Sequence, residues 1–275
     1  MRAYRSEWVK LSRRTTMLGF GGAMVGLTLL FTVLAFVSAG GGNVDLDGGQ
    51  EEAFVTSAAL SMPEGSVFAI TNVSGFLGII ALALFASSLA GEFTKGTIRM
   101  LFVTEPNRLV VLGGKIAALA SFVAAAVAAT LLVNVGAGAL MAPGAGVDTA
   151  AWWTSDGLAA IASTLLNLTG AALVPAFVAG TIAVLTRSAA IAISICAAYF
   201  ILGEALLSAF WGSLAEWGPA AVTSALAVGG AGGVGLMGGA PPVIGYATAV
   251  LLALGYALLG LAISATVLVR RDVTS

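Results

Sequence analysis

Histidine is absent from the chain, which removes His-assisted nucleophiles, the HExxH zinc motif and histidine proton relays. The single cysteine, Cys196, sits within an apolar run, so no disulfide can close inside the chain and no thiolate cluster can hold a metal. Its plain reading is a small core side chain. Charge is scarce too: 9% of residues are Asp, Glu, Lys or Arg, against about one quarter in soluble domains. With 59% hydrophobic residues and a mean hydropathy of +1.03, a soluble globule of this make-up would precipitate, so the solvent is lipid. A net charge of -1 gives no case for nucleic acid as a partner. Gly113-Gly114-Lys115-Ile116 has neither the spacing nor the hydroxyl of GxxxxGK[ST], so the chain cannot cradle a nucleotide alone. No Asp falls within a long apolar run, which argues against a paired-aspartate intramembrane protease. The expectation is a chain that is not itself an enzyme.

What is present is a series of apolar runs at 17–38, 67–90, 112–141, 158–185, 189–211 and 243–269. Each is long enough, at about 1.5 Å per residue, to cross about 30 Å of hydrocarbon. They predict an all-α polytopic membrane protein with six transmembrane helices in one domain, residues 1–275. A basic leader before an apolar run also fits a secretory signal, with Val37-Ser38-Ala39 as cleavage site. The run is too long for a signal core and is expected to be retained. Gly22 and Gly26 form a GxxxG, which permits close helix contact.

Orientation follows from the cations. Lys and Arg fall in the leader, between the second and third runs, at Arg187 and after the last run. Counting crossings alternately, all 12 share one side, which the positive-inside rule places in the cytoplasm with both termini. The loop at 40–65 and that at 143–156 carry acids and no cation. Trp8 on the inner side, and Trp152, Trp153, Trp211 and Trp217 on the outer, suit interfacial anchors. Residues 1–16 contain Arg5, Glu7, Trp8, Lys10, Arg13 and Arg14, with Tyr4, Trp8 and Leu11 on one helical face. They predict either an amphipathic helix in the interface, its cations on anionic headgroups, or a disordered basic leader. The glycine-rich stretch before the last run reads as a re-entrant pair at the outer membrane edge or as an external linker.

Residues 91–115, GEFTKGTIRMLFVTEPNRLVVLGGK, are the longest polar interruption carrying cations. As a helix, Glu92, Lys95 and Arg99 share one side, and Phe93, Thr97, Met100 and Thr104 the other. Pro106 stops that helix and steers Glu105 out of it, while Asn107 can cap the next. The result is a two-faced protrusion at the cytoplasmic surface: a docking element or a solvated hairpin loop. Within the runs, Asn167 and Thr169 stand near mid-depth and Glu204 near the outer interface. Such groups are candidates for a substrate path. Glu204 is the only carboxylate available to an ion-coupled secondary transporter, the alternative reading, and Glu204→Gln with normal transport would dismiss it.

The segment resembles the ABC-2 type permease family, on Glu92, Gly96-Thr97, Arg99, Leu101, Pro106, Arg108 and Lys115 in the pattern E-x3-GT-x-R-x-L-x4-P-x-R-x6-K. The leader, with Ser6-Glu7-Trp8 and Lys10, Arg13 and Arg14, is similar to the family's basic entry helix. Trp217-Gly218-Pro219 is similar to the region of its external re-entrant helices. The acidic first external loop and the glycine-rich 229–239 stretch depart from the family pattern. The resemblance implies an export (efflux) or import channel in a prokaryotic plasma membrane, built from two permease subunits, identical or homologous. Each would be docked on an ABC ATPase subunit that binds the ATP and Mg, with no cofactor in this chain. It implies that 91–108 is the coupling segment: an apolar face seated in an ATPase groove, Lys95 and Arg99 on its acidic rim, Pro106 and Arg108 stiffening the turn. ATPase movement would then tilt crossings two and three together.

Overall fold

The computed structural model describes residues 2–41, 55–94, 108–230 and 242–270. Among these residues every regular element is a helix: α1 (Arg2–Leu11), α2 (Gly22–Ala39), α3 (Ser74–Thr94), α4 (Arg108–Met141), α5 (Ser155–Thr186), α6 (Ala189–Ala198), α7 (Glu204–Phe210), α8 (Pro219–Ala227) and α9 (Tyr246–Arg270), with shorter turns between them. Among the described residues five stretches are long and apolar enough to cross a membrane: Arg14–Ala39, Ser74–Gly91, Leu109–Ala145, Ser155–Thr186 and Tyr246–Arg270. The chain is an all-α, multi-pass membrane protein.

Local chemistry sets the ends. The Thr154 hydroxyl accepts the Gly157 N–H at the start of α5, and the Ser188 hydroxyl accepts that of Ile191 at the start of α6, each occupying a donor that the helix leaves unpaired. Arg187 takes the left-handed conformation, φ 56°, and so turns α5 into α6 within two residues. Pro175 lies inside α5; Gly78 accommodates its ring, since a Cβ there would stand 3.0 Å from the Pro175 Cγ.

Three expected crossings are broken or shifted. The run 189–211 is helical but passes through a π turn at Tyr199–Gly203. The Tyr199 ring lies over Gly203, where a Cβ would approach it to 2.9 Å. A second π turn, Met17–Gly21, opens the first crossing, where neighbouring glycines weaken regular α pairing. The second crossing does not begin at Val67. A 3-10 turn (Pro63–Val67) and a short helix (Phe68–Asn72) precede a break at Val73. There the Asn72 amide folds back to donate to the Phe68 carbonyl at 2.9 Å, offering the backbone an alternative to the helix ladder.

Two groups of helices make up the bundle. α3 lies along α5, with α6, α8 and α9 packed around that pair; α4 is flanked by α1 and α2. α3 and α4, consecutive in sequence, meet at few residues. The first and third crossings run parallel in constant register: Phe20 meets Phe122, Thr32 meets Asn134 and Phe36 meets Gly138, each pair 102 positions apart. At the end opposite α1 a cap forms from residues 55–67 and 142–153. Trp152 is 0% exposed there, donating its indole N–H to the Leu60 carbonyl at 2.8 Å and standing edge-on to Phe36. Trp152 is therefore a core residue of the cap and no interfacial anchor, while its neighbour Trp153 is exposed.

Candidate functional site

The most elaborate polar chemistry among the described residues lies where α1 crosses the start of α4. α1 ends at Leu11, short of the expected residue 16, because Arg13 is extended (φ -66°, ψ 142°) before the chain re-enters a helix. The Tyr4, Trp8 and Leu11 face is present, but it is turned onto protein. Trp8 stacks on Tyr4 and meets Phe122 edge-on, both at 6.0 Å between ring centroids. The Tyr4 and Ser121 hydroxyls are 3.0 Å apart. Leu11 is buried. Gly114 lets the two backbones approach: a Cβ there would lie 2.8 Å from the Ala3 Cβ and 3.0 Å from the Tyr4 nitrogen.

Beneath this contact Glu7 and Lys115 are 5% and 4% exposed. Glu7 Oε2 lies 3.5 Å from Lys115 Nζ, and its other oxygen accepts from Lys10. Desolvating two such charges offsets most of their attraction, so the pair fixes register more than it adds stability. The signal was legible: Lys115 falls inside the apolar run 112–141, where a cation needs a partner, and Glu7 is the single acid of the leader.

The remaining candidates are dispersed. Arg5, Lys10, Arg13 and Arg14 are exposed beside this junction. Lys115 faces α1. Glu92 closes on the end of α3 and Arg108 opens α4; the side chains of Glu92, Phe93 and Arg108 lie outside the described residues, as do Lys95, Gly96, Thr97, Arg99, Met100 and Pro106 entirely. Asn167 Oδ1 accepts the Tyr246 hydroxyl at 2.7 Å. Since Tyr246 is the first residue of α9, Asn167 stands level with the start of that helix. Thr169 donates to the Leu165 carbonyl within α5. Glu204 begins α7 after the π turn, on a separate element. Among the described residues no three of His, Cys, Asp and Glu gather as a metal site.

A second polar junction, absent from the sequence expectations, joins the cap to α2 and α4. Asn134 donates to the Ser66 carbonyl at 2.8 Å and accepts from Thr32 at 3.0 Å. An asparagine in a long apolar run was its signal.

Helix directions place charge by end. Leu89 near the end of α3 meets Gly180 near the end of α5, and Gly260 of α9 meets Thr181, so these three helices run the same way. α2 and α4 run oppositely, from the α1 end to the cap. Arg5, Lys10, Arg13, Arg14, Lys115, Arg187 and Arg270 consequently share one end of the bundle, and Glu64, Asp148 and Asp156 the other.

Over residues 28–274 the chain matches the family model described as "Protein of unknown function (DUF2705)". No curated protein matches it.

Proposed function

The chain belongs to the family described as "Protein of unknown function (DUF2705)", and from that premise we propose that it is the membrane-spanning permease subunit of an ATP-driven, ABC-2 type transporter. The observation that carries the reading is the gathering of the described cations at one end of the bundle, the end at which α3 stops and α4 starts. The segment 91–108, whose sequence pattern is that of a two-faced helix, joins α3 to α4. With cations cytoplasmic, that segment and both termini face an ATPase subunit in the cytoplasm of a prokaryotic cell.

Counting 189–211 as a crossing interrupted by its π turn gives six spans. The chain then dips back: Tyr256, ten positions into α9, donates to the Trp217 carbonyl at 2.7 Å, and α8 follows with Val222 and Ala225 fully buried. This supports a re-entrant pair covered by protein, as backbone at membrane depth requires.

In this reading ATP and Mg bind the partner ATPase, and a second permease subunit completes the pathway. The packing changes one part of the mechanism. α3 and α4 belong to different groups of helices, so displacement of 91–108 acts between the groups instead of tilting the two spans together. A partner drives such a change only by binding one arrangement better than the other, typically by about 1–3 kcal/mol.

The test is purification of tagged chain from its native membrane in mild detergent. An ATPase subunit should co-purify, and Arg99→Glu should leave insertion intact while abolishing substrate-stimulated ATP hydrolysis. Absence of any ATPase, or full stimulation in the variant, would remove the reading.

A further inference from the structure

Where the cap meets α2 and α4 there is a cavity of about 10 Å³, lined by Thr32, Phe36, Leu60, Ser66, Asn134 and Gly138 with neighbouring alanine and glycine. That volume is at the lower bound for one water, and a site so small is wet only if its walls are polar. The hydrogen-bond count decides the matter. The Thr32 hydroxyl has one proton and two acceptors within reach, the Thr28 carbonyl at 2.8 Å and Asn134 Oδ1 at 3.0 Å, so one acceptor is left over. Asn134, 2% exposed, has two amide N–H groups. One donates to the Ser66 carbonyl; the other meets no acceptor among the described residues. Reversing the Asn134 amide does not help, because its oxygen would then face the Ser66 carbonyl, acceptor against acceptor. Ser66 spends its proton on the Pro63 carbonyl at 3.3 Å, which leaves its oxygen able to accept. One turn deeper, the Thr28 hydroxyl is buried without a partner, so this seam between α2 and α4 is short of hydrogen bonds. In lipid such groups find no solvent outside the protein.

We propose that the pocket between Thr32, Ser66 and Asn134 is a binding site for one resident water. The water accepts the second amide N–H of Asn134. It donates to the Ser66 hydroxyl oxygen and to the acceptor that the Thr32 proton leaves over, three bonds in all, the usual number for a buried water. The joint between cap and spans is then a hydrated hydrogen-bonded contact. Nothing here depends on the transporter reading.

Water-edited NMR on the full chain in lipid nanodiscs, labelled with 15N-asparagine, tests the site. The Asn134 side-chain amide is assigned by its disappearance in Asn134→Ser. Magnetisation should pass from water to that amide in the unmodified chain. It should be lost in Ala35→Val, which adds two methyl groups to the cavity wall. No transfer in the unmodified chain overturns the proposal. Transfer that survives Ala35→Val also overturns it, by placing the water elsewhere.

Discussion

The two groups of helices are held by different means. Around α4, contacts are directional: the Glu7–Lys115 pair, the Thr32–Asn134 hydrogen bond and aromatic pairs in fixed register. Around α5 they rest on small residues. Ala171, Ala176, Ala179 and Ala183 are fully buried, Gly78 receives Pro175, and Gly180 receives Leu89 and Phe85. Lipid tails are as apolar as leucine, so in a bilayer burial alone gives one helix no reason to prefer another. Two choices remain, polar bonds that cannot be made to lipid and backbone approach closer than lipid allows. The α4 half leans on the first and the α5 half on the second, although Gly114 against α1 and the Tyr246–Asn167 bond cross that division.

The largest effect should come from breaking the charge in the first half. Lys115→Ala takes one of two cations from a buried carboxylate, and Glu7→Ala takes that carboxylate from a buried ammonium. Breaking a buried pair from one side costs up to about 3–5 kcal/mol, whereas Glu7→Leu combined with Lys115→Met should be close to neutral. Denaturant unfolding in detergent, with hydrogen exchange of residues 2–11 as a local readout, measures both. If the single variants unfold like the unmodified chain, the pair does not hold α1, and the contrast between halves fails.

The second half should respond to volume and not to charge. Gly180→Val would set a Cβ 2.8 Å from the Leu89 Cδ1 and 3.5 Å from the Phe85 Cδ1, in a site with no exposed side to relax into. Overpacking of this kind costs about 1–3 kcal/mol. Adding Leu89→Ala should return part of that loss by vacating the space. The unfolding midpoints of the single and double variants supply the comparison; a double variant no better than Gly180→Val alone would mean that the strain lies elsewhere.

This division was only partly legible in the sequence. Runs 112–141 and 158–185 correspond to α4 and α5 within a few residues, because an apolar run long enough for a bilayer has few other solutions. The Tyr4, Trp8 and Leu11 face was legible from helical spacing alone. Its partner was not: periodicity says that a face is buried but not against what, and Phe122 and Ser121 lie more than a hundred positions away. The π turns at Met17–Gly21 and Tyr199–Gly203 escaped for a related reason, since a change of one residue in hydrogen-bond pairing leaves composition untouched. Trp152 misled because tryptophan at the end of a run suits both a membrane interface and a small core, and the Leu60 carbonyl that decides between them sits in another loop.

The smallest effect should come from the GxxxG glycines of the first crossing. Gly22 and Gly26 have nothing within 4 Å of a built Cβ, so among the described residues the GxxxG face of the first crossing is used by neither half. Glycine inside a helix costs up to about 1 kcal/mol relative to alanine, so Gly26→Ala should raise the stability of the isolated chain slightly. The same substitution measured in native membranes is the sharper experiment. A fall in stability there, set against a rise in detergent at high dilution, would mean that another helix approaches this face closely enough for a methyl group to obstruct it. Equal rises in both settings would leave the face to lipid.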